Sequence, residues 1–301
     1  MSENNRWTTK NMPDLIGRSA LVTGANSGLG YETGLALARK GAAVVMACRS
    51  EERGSAASDR IREQLPEAQL EVWTLDLADL QSVRDFADRF NKKYSHLDLL
   101  FNNAGIMAVP RGKTKDGFES QIGVNHFGHF ALTGLLLGTL RDTPNSRVIT
   151  TSSYAHFLGK MDFTDLDSEG FYQKWLAYGQ SKLANVLFGY ELNRRLAQNG
   201  ANPISVVAHP GYAATNLQHT TWLFSLLNPL VAQSQEMGAL PLLYAATSDT
   251  IKGGEYVGPD GFLAQRGYPK IARSSRRSHN KEDAARLWEI SEQRTGVKYG
   301  I

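Results

Sequence analysis

The chain has 301 residues, with 33 Lys and Arg against 30 Asp and Glu, for a formal net charge of +3. That near-balance argues against nucleic acid or an anionic membrane as the main partner. With 42% apolar and 21% charged residues, the composition is globular rather than disordered, and one cysteine, Cys48, excludes an intrachain disulfide framework or a cysteine-based zinc site.

The polar start, residues 1–10, has no apolar segment of signal-peptide type. Residues 19–23 (SALVT) predict a short strand that ends in glycines, and residues 31–40 a helix closed by Gly41. A second strand over 42–47, a polar helix over 51–65 and a third strand over 70–75 follow. Asp79 is placed to cap a helix running to Tyr94. A fourth strand over 97–101 precedes one long helix, about 117–141, then a fifth strand over 147–151. A helix over 178–198, a sixth strand over 204–208, a weak seventh over 255–257 and a last helix over 281–294, closed by Gly296, complete the series.

Strands that are apolar on both faces and separated by helices predict an α/β fold: a doubly wound, Rossmann-type parallel sheet of about seven strands with helices on both faces. Ligands of such sheets sit at the carboxyl ends of the strands, at the switch point. No linker-like break divides the chain, so one domain over 1–301 is expected, with a core at about 15–260 and a C-terminal extension over 261–301. Two stretches lack charge, yet neither reads as a membrane span. Residues 120–140 carry Asn125, His126 and His129; residues 196–235 are broken by Pro203, Pro210 and Pro229.

Each motif falls at a strand end. Thr23-Gly24-Ala25-Asn26-Ser27-Gly28-Leu29-Gly30 forms a glycine-rich turn that opens a helix, where free N–H groups can hold a phosphate. Tyr178 and Lys182 are four residues apart in Tyr178-Gly179-Gln180-Ser181-Lys182, hence on one helix face. An ammonium beside a phenol favours the phenolate and draws its pKa down, which suits general acid–base chemistry. Asn102-Asn103-Ala104-Gly105, Asn125, Ser152-Ser153 and Pro210-Gly211 with Thr215 lie after the fourth strand, in the long helix, and after the fifth and sixth strands.

In order and placement these motifs resemble the short-chain dehydrogenase/reductase superfamily over about residues 15–260. The resemblance implies hydride transfer with a nicotinamide cofactor. Ser153 would bond the substrate oxygen and Tyr178 would give or take its proton. Lys182 would tune Tyr178 and hold the ribose, and Asn125 would order a relay water. Gly24, Asn26, Ser27, Gly28, Leu29, Gly30, Asn102, Ala104, Gly105, Pro210, Gly211 and Thr215 would contact the cofactor, with Asp76 and Leu77 near adenine. Asp76 reads equally as a helix-capping residue. Cys48 stands where an NAD-selective site places an acidic residue, and Arg49 follows, a cation able to clamp a 2′-phosphate; NADP(H) is therefore favoured over NAD(H).

The long interval from Ser153 to Tyr178, together with Ala47-Cys48-Arg49 and the ending Arg286-Leu287-Trp288-Glu289, resembles the retinol-dehydrogenase-like branch. Membrane-bound members carry an N-terminal anchor, and this chain shows none, so a soluble, bacterial-type, cytoplasmic relative is expected. The uncharged stretch with Trp222, Leu223 and Phe224 reads as a cover for an apolar alcohol, aldehyde or ketone, as core or subunit interface, or as a membrane-surface contact. A homo-oligomer is compatible with it. Three rival readings remain open: a nucleotide-binding regulator with lapsed catalysis, an NAD-preferring member, or a related lyase or epimerase.

Overall fold

The computed structural model describes residues 6–212, 233–261 and 264–301. Within them eight strands form one sheet: β1 Ser19–Thr23, β2 Ala43–Cys48, β3 Leu70–Thr74, β4 Leu99–Asn102, β5 Arg147–Thr151, β6 Ile204–Ala208, β7 Tyr256–Pro259 and β8 Pro269–Ala272. Their spatial order is β3-β2-β1-β4-β5-β6-β7-β8. β1 to β7 pair in parallel, and β8 runs antiparallel to β7. The helices are α1 Gly28–Arg39, α2 Glu51–Gln64, α3 Leu80–Lys93, α4 Gly128–Leu135, α5 Leu137–Arg141, α6 Lys174–Gln198, α7 Gln235–Thr247 and α8 Lys281–Thr295.

Alternate strand residues feed two cores, as the pleat requires. Val22, Val44, Met46 and Phe101 face α1 and α7, against Leu37, Leu242 and Leu243. Leu21, Val45, Leu100 and Val148 face the other side, against Val83 and Phe86 of α3, Phe130 of α4 and Phe188 of α6. Helix ends follow local chemistry. The Asp79 carboxylate accepts from the N–H groups of Gln81 and Ser82, and Gly41 and Gly296 follow α1 and α8 at φ +85° and +67°.

The structure departs from expectation in four places. The sheet has eight strands rather than about seven. β8 lacks an apolar run because it is the edge strand, with Lys270 and Ile271 exposed. α7 was not expected, since Pro241 lies inside it. α6 starts at Lys174 rather than Tyr178, where the Gln173 side chain accepts from Leu176 N. The single helix expected over 117–141 is broken: a turn at Ser120–Ile122, a π-helical turn at Gly123–Phe127, then α4 and α5. Such π turns are frequent at functional positions, and this one contains Asn125.

The segment between Ser153 and α6 is fastened down. Met161 and Leu166 share a core cluster with Phe127, Leu183 and Leu287. Tyr172 donates its hydroxyl proton to Val109 O at 2.8 Å and accepts from Gln121 Nε2 at 2.9 Å. Arg294 pairs with Asp167 at 2.6 Å and Lys113 with Glu169 at 2.8 Å. Among the described residues no helix is long and apolar enough to cross a membrane.

Candidate active site

A cleft of about 760 Å³ opens at the carboxyl ends of the strands, where β1 has β2 on one side and β4 on the other. Of the residues expected at the cofactor, Gly24, Asn26, Ser27, Gly28, Leu29, Gly30, Arg49, Asp76, Leu77, Ala104 and Gly105 line it. Thr23, Ser50, Arg53, Asn103, Ile106 and Val124 line it as well and were not anticipated. Arg53 had a readable signal, a second arginine four residues after Arg49 and in the first turn of α2.

Asn102 is a correction. Its side chain is fully buried and donates to Thr133 Oγ1 at 2.8 Å, so it lies off the cleft wall, and Asn103 stands there instead. Asp76 accepts from Ala78 N at 2.9 Å in a local turn; Asp79, not Asp76, caps α3.

The residues present fit a phosphate-bearing dinucleotide. Ser27 makes no side-chain bond to the start of α1, so the first-turn N–H groups remain available. A Cβ at Gly30 would run into the Gly24 carbonyl oxygen and lie 2.7 Å from Asn103 Nδ2, so only glycine lets loop, helix and β4 close together there. Asn103 Oδ1 is buried without a partner. Among the described residues Arg49 forms no ion pair, and it is exposed at the cleft rim. Cys48 is buried beneath the loop. Burial pushes its thiol up to about 11, against bonds from the backbone of Ala25 and Asn26.

His129 ties the loop to the π turn. Its Nδ1 lies 3.0 Å from Asn125 O, which can only accept, so Nδ1 carries the proton of the neutral ring. Nε2 then accepts from the Thr23 hydroxyl at 2.9 Å, while Thr23 Oγ1 accepts from the N–H groups of Asn103 and Ala104. Burial holds His129 down at about 4, which keeps it neutral. The Asn125 amide is engaged at both atoms: Oδ1 accepts from Ile106 N at 2.9 Å, and Nδ2 donates to Ile106 O at 3.0 Å and Ser181 Oγ at 2.9 Å.

Gly105 joins the cleft to the expected reaction centre. A Cβ on it would lie 3.1 Å from Asn125 Oδ1 and 3.4 Å from Lys182 Nζ. Lys182 Nζ donates to Thr151 O at 3.3 Å and lies 5.7 Å from the Tyr178 ring centre. The Ser153 side chain favours the charged form of the Tyr178 phenol, and Ser153 Oγ accepts from Ala155 N at 3.2 Å. The turn after Ser153 rests on α6 at two glycines: a Cβ on Gly159 would strike the Gly179 carbonyl, and one on Gly179 would lie 3.0 Å from Ala155 O. Backbone contact of that kind sets the separation of Ser153 and Tyr178.

The electrostatics differ from expectation. Burial pushes the Tyr178 phenol up to about 12, with the neighbouring Ser153 side chain pulling the other way. Burial likewise pushes Lys182 down to about 8. Both groups are deep in protein, so charging either is costly, and desolvation outweighs the attraction that the spacing alone suggested. Pro210 and Gly211 follow β6 and precede the undescribed residues. Pro210 O accepts from Gln233 Nε2 at 2.6 Å, and Gly211 takes φ +68°. Thr215 and the Trp222–Phe224 cluster lie outside the described residues.

Comparison with known proteins agrees with this arrangement. Mouse retinol dehydrogenase 12 is 40% identical over 288 residues, covering 94% of this chain and 88% of its own. A crystal structure of a Mycobacterium paratuberculosis protein is 44% identical, with a TM-score of 0.84 over 99% of this chain and 100% of that one. A Shigella flexneri short chain dehydrogenase complexed with NADP shares the fold at 24% identity, with a TM-score of 0.66 over 81% of this chain and 97% of that one. The family model for short chain dehydrogenases matches residues 18–223. With the glycine-rich loop and the Asn103–Gly105 wall on the strand-end cleft and Lys182 behind Gly105, the chain belongs to the short-chain dehydrogenase family, with retinol dehydrogenases among its relatives.

Proposed function

We propose that the protein is an NADP(H)-dependent oxidoreductase that interconverts an apolar alcohol and its carbonyl. The observation that carries this reading is the buried Tyr178–Lys182 pair, with Lys182 Nζ 5.7 Å from the Tyr178 ring centre, continuous through Gly105 with the cleft that ends at Arg49. The bound nicotinamide supplies the hydride chemistry. Ser153 orients the substrate oxygen. Tyr178, neutral at pH 7, is set to give that oxygen a proton in the reducing direction. Lys182 steadies the phenolate that remains and holds the ribose hydroxyls. Asn125, whose backbone carbonyl accepts from His129 Nδ1, orders the relay water. Arg49, with Arg53 in the first turn of α2, takes the 2′-phosphate, and the NADP in the Shigella flexneri fold-mate accords with that choice.

An apolar substrate is supported by the wall around Tyr178. Trp175 stands edge-on to the Tyr178 ring at 6.3 Å, and Tyr154 and Phe157 pair at 4.8 Å, both half-exposed on the turn after Ser153. The retinol dehydrogenase relatives point the same way. We assign the whole chain, 1–301, to one catalytic unit in the cytoplasm, which fractionation and limited proteolysis test.

The experiment is a screen of straight-chain aldehydes and retinaldehyde with NADPH and NADH, read at the reduced-nicotinamide absorbance. Each buried methylene contributes about 0.8 kcal/mol, so two added carbons raise efficiency about tenfold until the site is filled. A flat profile with chain length would overturn the apolar pocket, and equal use of NADH would overturn the cofactor assignment.

A further inference from the structure

We infer that His156 is a positioning residue for Ser153: it locks the turn carrying the Ser153 hydroxyl onto the C-terminal segment at Ser275 through one fixed tautomer. The inference rests on the reading of Ser153 as the residue that orients the substrate oxygen.

The His156 ring is fully buried and uses both nitrogens. Nε2 lies 3.0 Å from Ser275 N, a group that can only donate, so Nε2 accepts. Nδ1 lies 2.7 Å from Ser153 O, which can only accept, so Nδ1 donates. A neutral imidazole offers one donor and one acceptor, and the two backbone partners admit one arrangement, with the proton on Nδ1. The same carbonyl also accepts from His156 N at 3.0 Å. Two bonds on one carbonyl fix the peptide plane that follows Ser153, and with it the direction of the Ser153 side chain.

The surroundings reinforce that choice. Tyr256 packs on the ring at 5.1 Å between centres, with its hydroxyl 3.3 Å from Nδ1. Ser152, beside Ser153, donates its hydroxyl to Lys182 O at 2.8 Å. Beyond Ser275, Arg277 donates to Gly159 O at 2.8 Å, a second point where the C-terminal segment grips the same turn. The segment after Ser153 is thus clamped at both ends, and His156 holds the end nearer the reacting atoms.

Two conservative variants separate the two ends of the clamp. In His156→Asn the amide nitrogen reaches the Nδ1 place and keeps a donor for Ser153 O, while the acceptor for Ser275 is lost. In His156→Gln the longer side chain puts an oxygen at the Nε2 place for Ser275 N and leaves Ser153 O without its ring donor. With decanal and NADPH, H156Q loses about tenfold or more in kcat at unchanged KM for NADPH, and H156N loses no more than about threefold. A merely structural histidine would cost both variants alike. In wild-type protein, a two-bond ¹H–¹⁵N correlation spectrum shows His156 protonated on Nδ1, a readout that needs neither turnover nor a folded variant. Protonation on Nε2, or wild-type kcat in H156Q alongside a turnover-deficient Ser153→Ala, overturns the proposal. Full turnover in Ser153→Ala instead removes the reading of Ser153 on which it rests.

Discussion

The two walls of the site are built differently. The cofactor wall, from Thr23 to Gly105, is made of main chain: glycines that let loop, helix and strand touch, free N–H groups at the start of α1, and carbonyls close by. The substrate wall, from Ser153 to Lys182, is held by side chains reaching across the sequence, such as Gln121 to Tyr172, Arg294 to Asp167 and His156 to Ser275. A wall made of main chain depends on residue type at fixed spacing. A wall made of side-chain bonds depends on which distant segments meet. The first tolerates no added atom, whereas the second tolerates exchange if donor and acceptor survive.

The largest effect should come from acid, and it tests whether the walls fail together. His126, His129, His156 and His209 are buried and held down at about 3, 4, 4 and 3, against an ordinary value of 6.5. The unfolded chain therefore binds more protons than the folded one below pH 6.5. The stability these rings contribute is whole above that pH and is lost as pH falls toward 4, a change on the order of 10 kcal/mol. Urea midpoints should fall steeply between pH 6.5 and 4.5, with NADPH binding and tryptophan fluorescence lost in one transition. Loss of the substrate wall alone would show that the two are independent.

Next in size is Tyr178→Phe. It keeps the ring and the fold, so NADPH titration should be unchanged while turnover falls about a hundredfold or more. Near-normal turnover would detach the substrate wall from the chemistry. Arg49→Ala acts on the opposite end and should weaken NADPH by about 1.5–3 kcal/mol while leaving NADH nearly unaffected, as calorimetry with each cofactor can show. Gly159→Ala probes the one place where the substrate wall is also main chain. The added carbon meets the Gly179 carbonyl, so stability should drop by about 1–3 kcal/mol in thermal unfolding, with turnover reduced further as Ser153 moves from Tyr178. Smallest is Lys113→Ala. Both partners of the Lys113–Glu169 pair are more than half exposed, at 53% and 62%, so the loss should stay under about 1 kcal/mol. A larger loss would mean that the surface pair, rather than Tyr172 and Gln121 beneath it, holds the segment.

The same contrast explains what the sequence made legible. Gly24, Gly28, Gly30 and the Asn–Ala–Gly run sit on the cleft because strand ends and glycine spacing determine the turn. Tyr178 and Lys182 share a helix face for the same local reason. The Asn102 assignment failed because neighbouring residues on a strand point to opposite faces, and the strand ended one residue later than expected. The long helix over 117–141 failed because a π turn leaves no mark in composition. The pKa of Tyr178 failed because burial, which spacing cannot show, outweighs a neighbouring charge. His129 and His156 were missed altogether, since each takes its meaning from a partner far along the chain.

Cys48 has a consequence of a different kind. Its thiol is 1% exposed, and burial keeps it in the unreactive protonated form at physiological pH. The lone sulfhydryl of the chain is thereby shielded from peroxide, alkylating agents and mixed-disulfide exchange. An electrophile entering the cleft above Cys48 would find no thiolate to capture. The protein should hold its activity in oxidised buffer without added reductant, and iodoacetamide should label it only after unfolding.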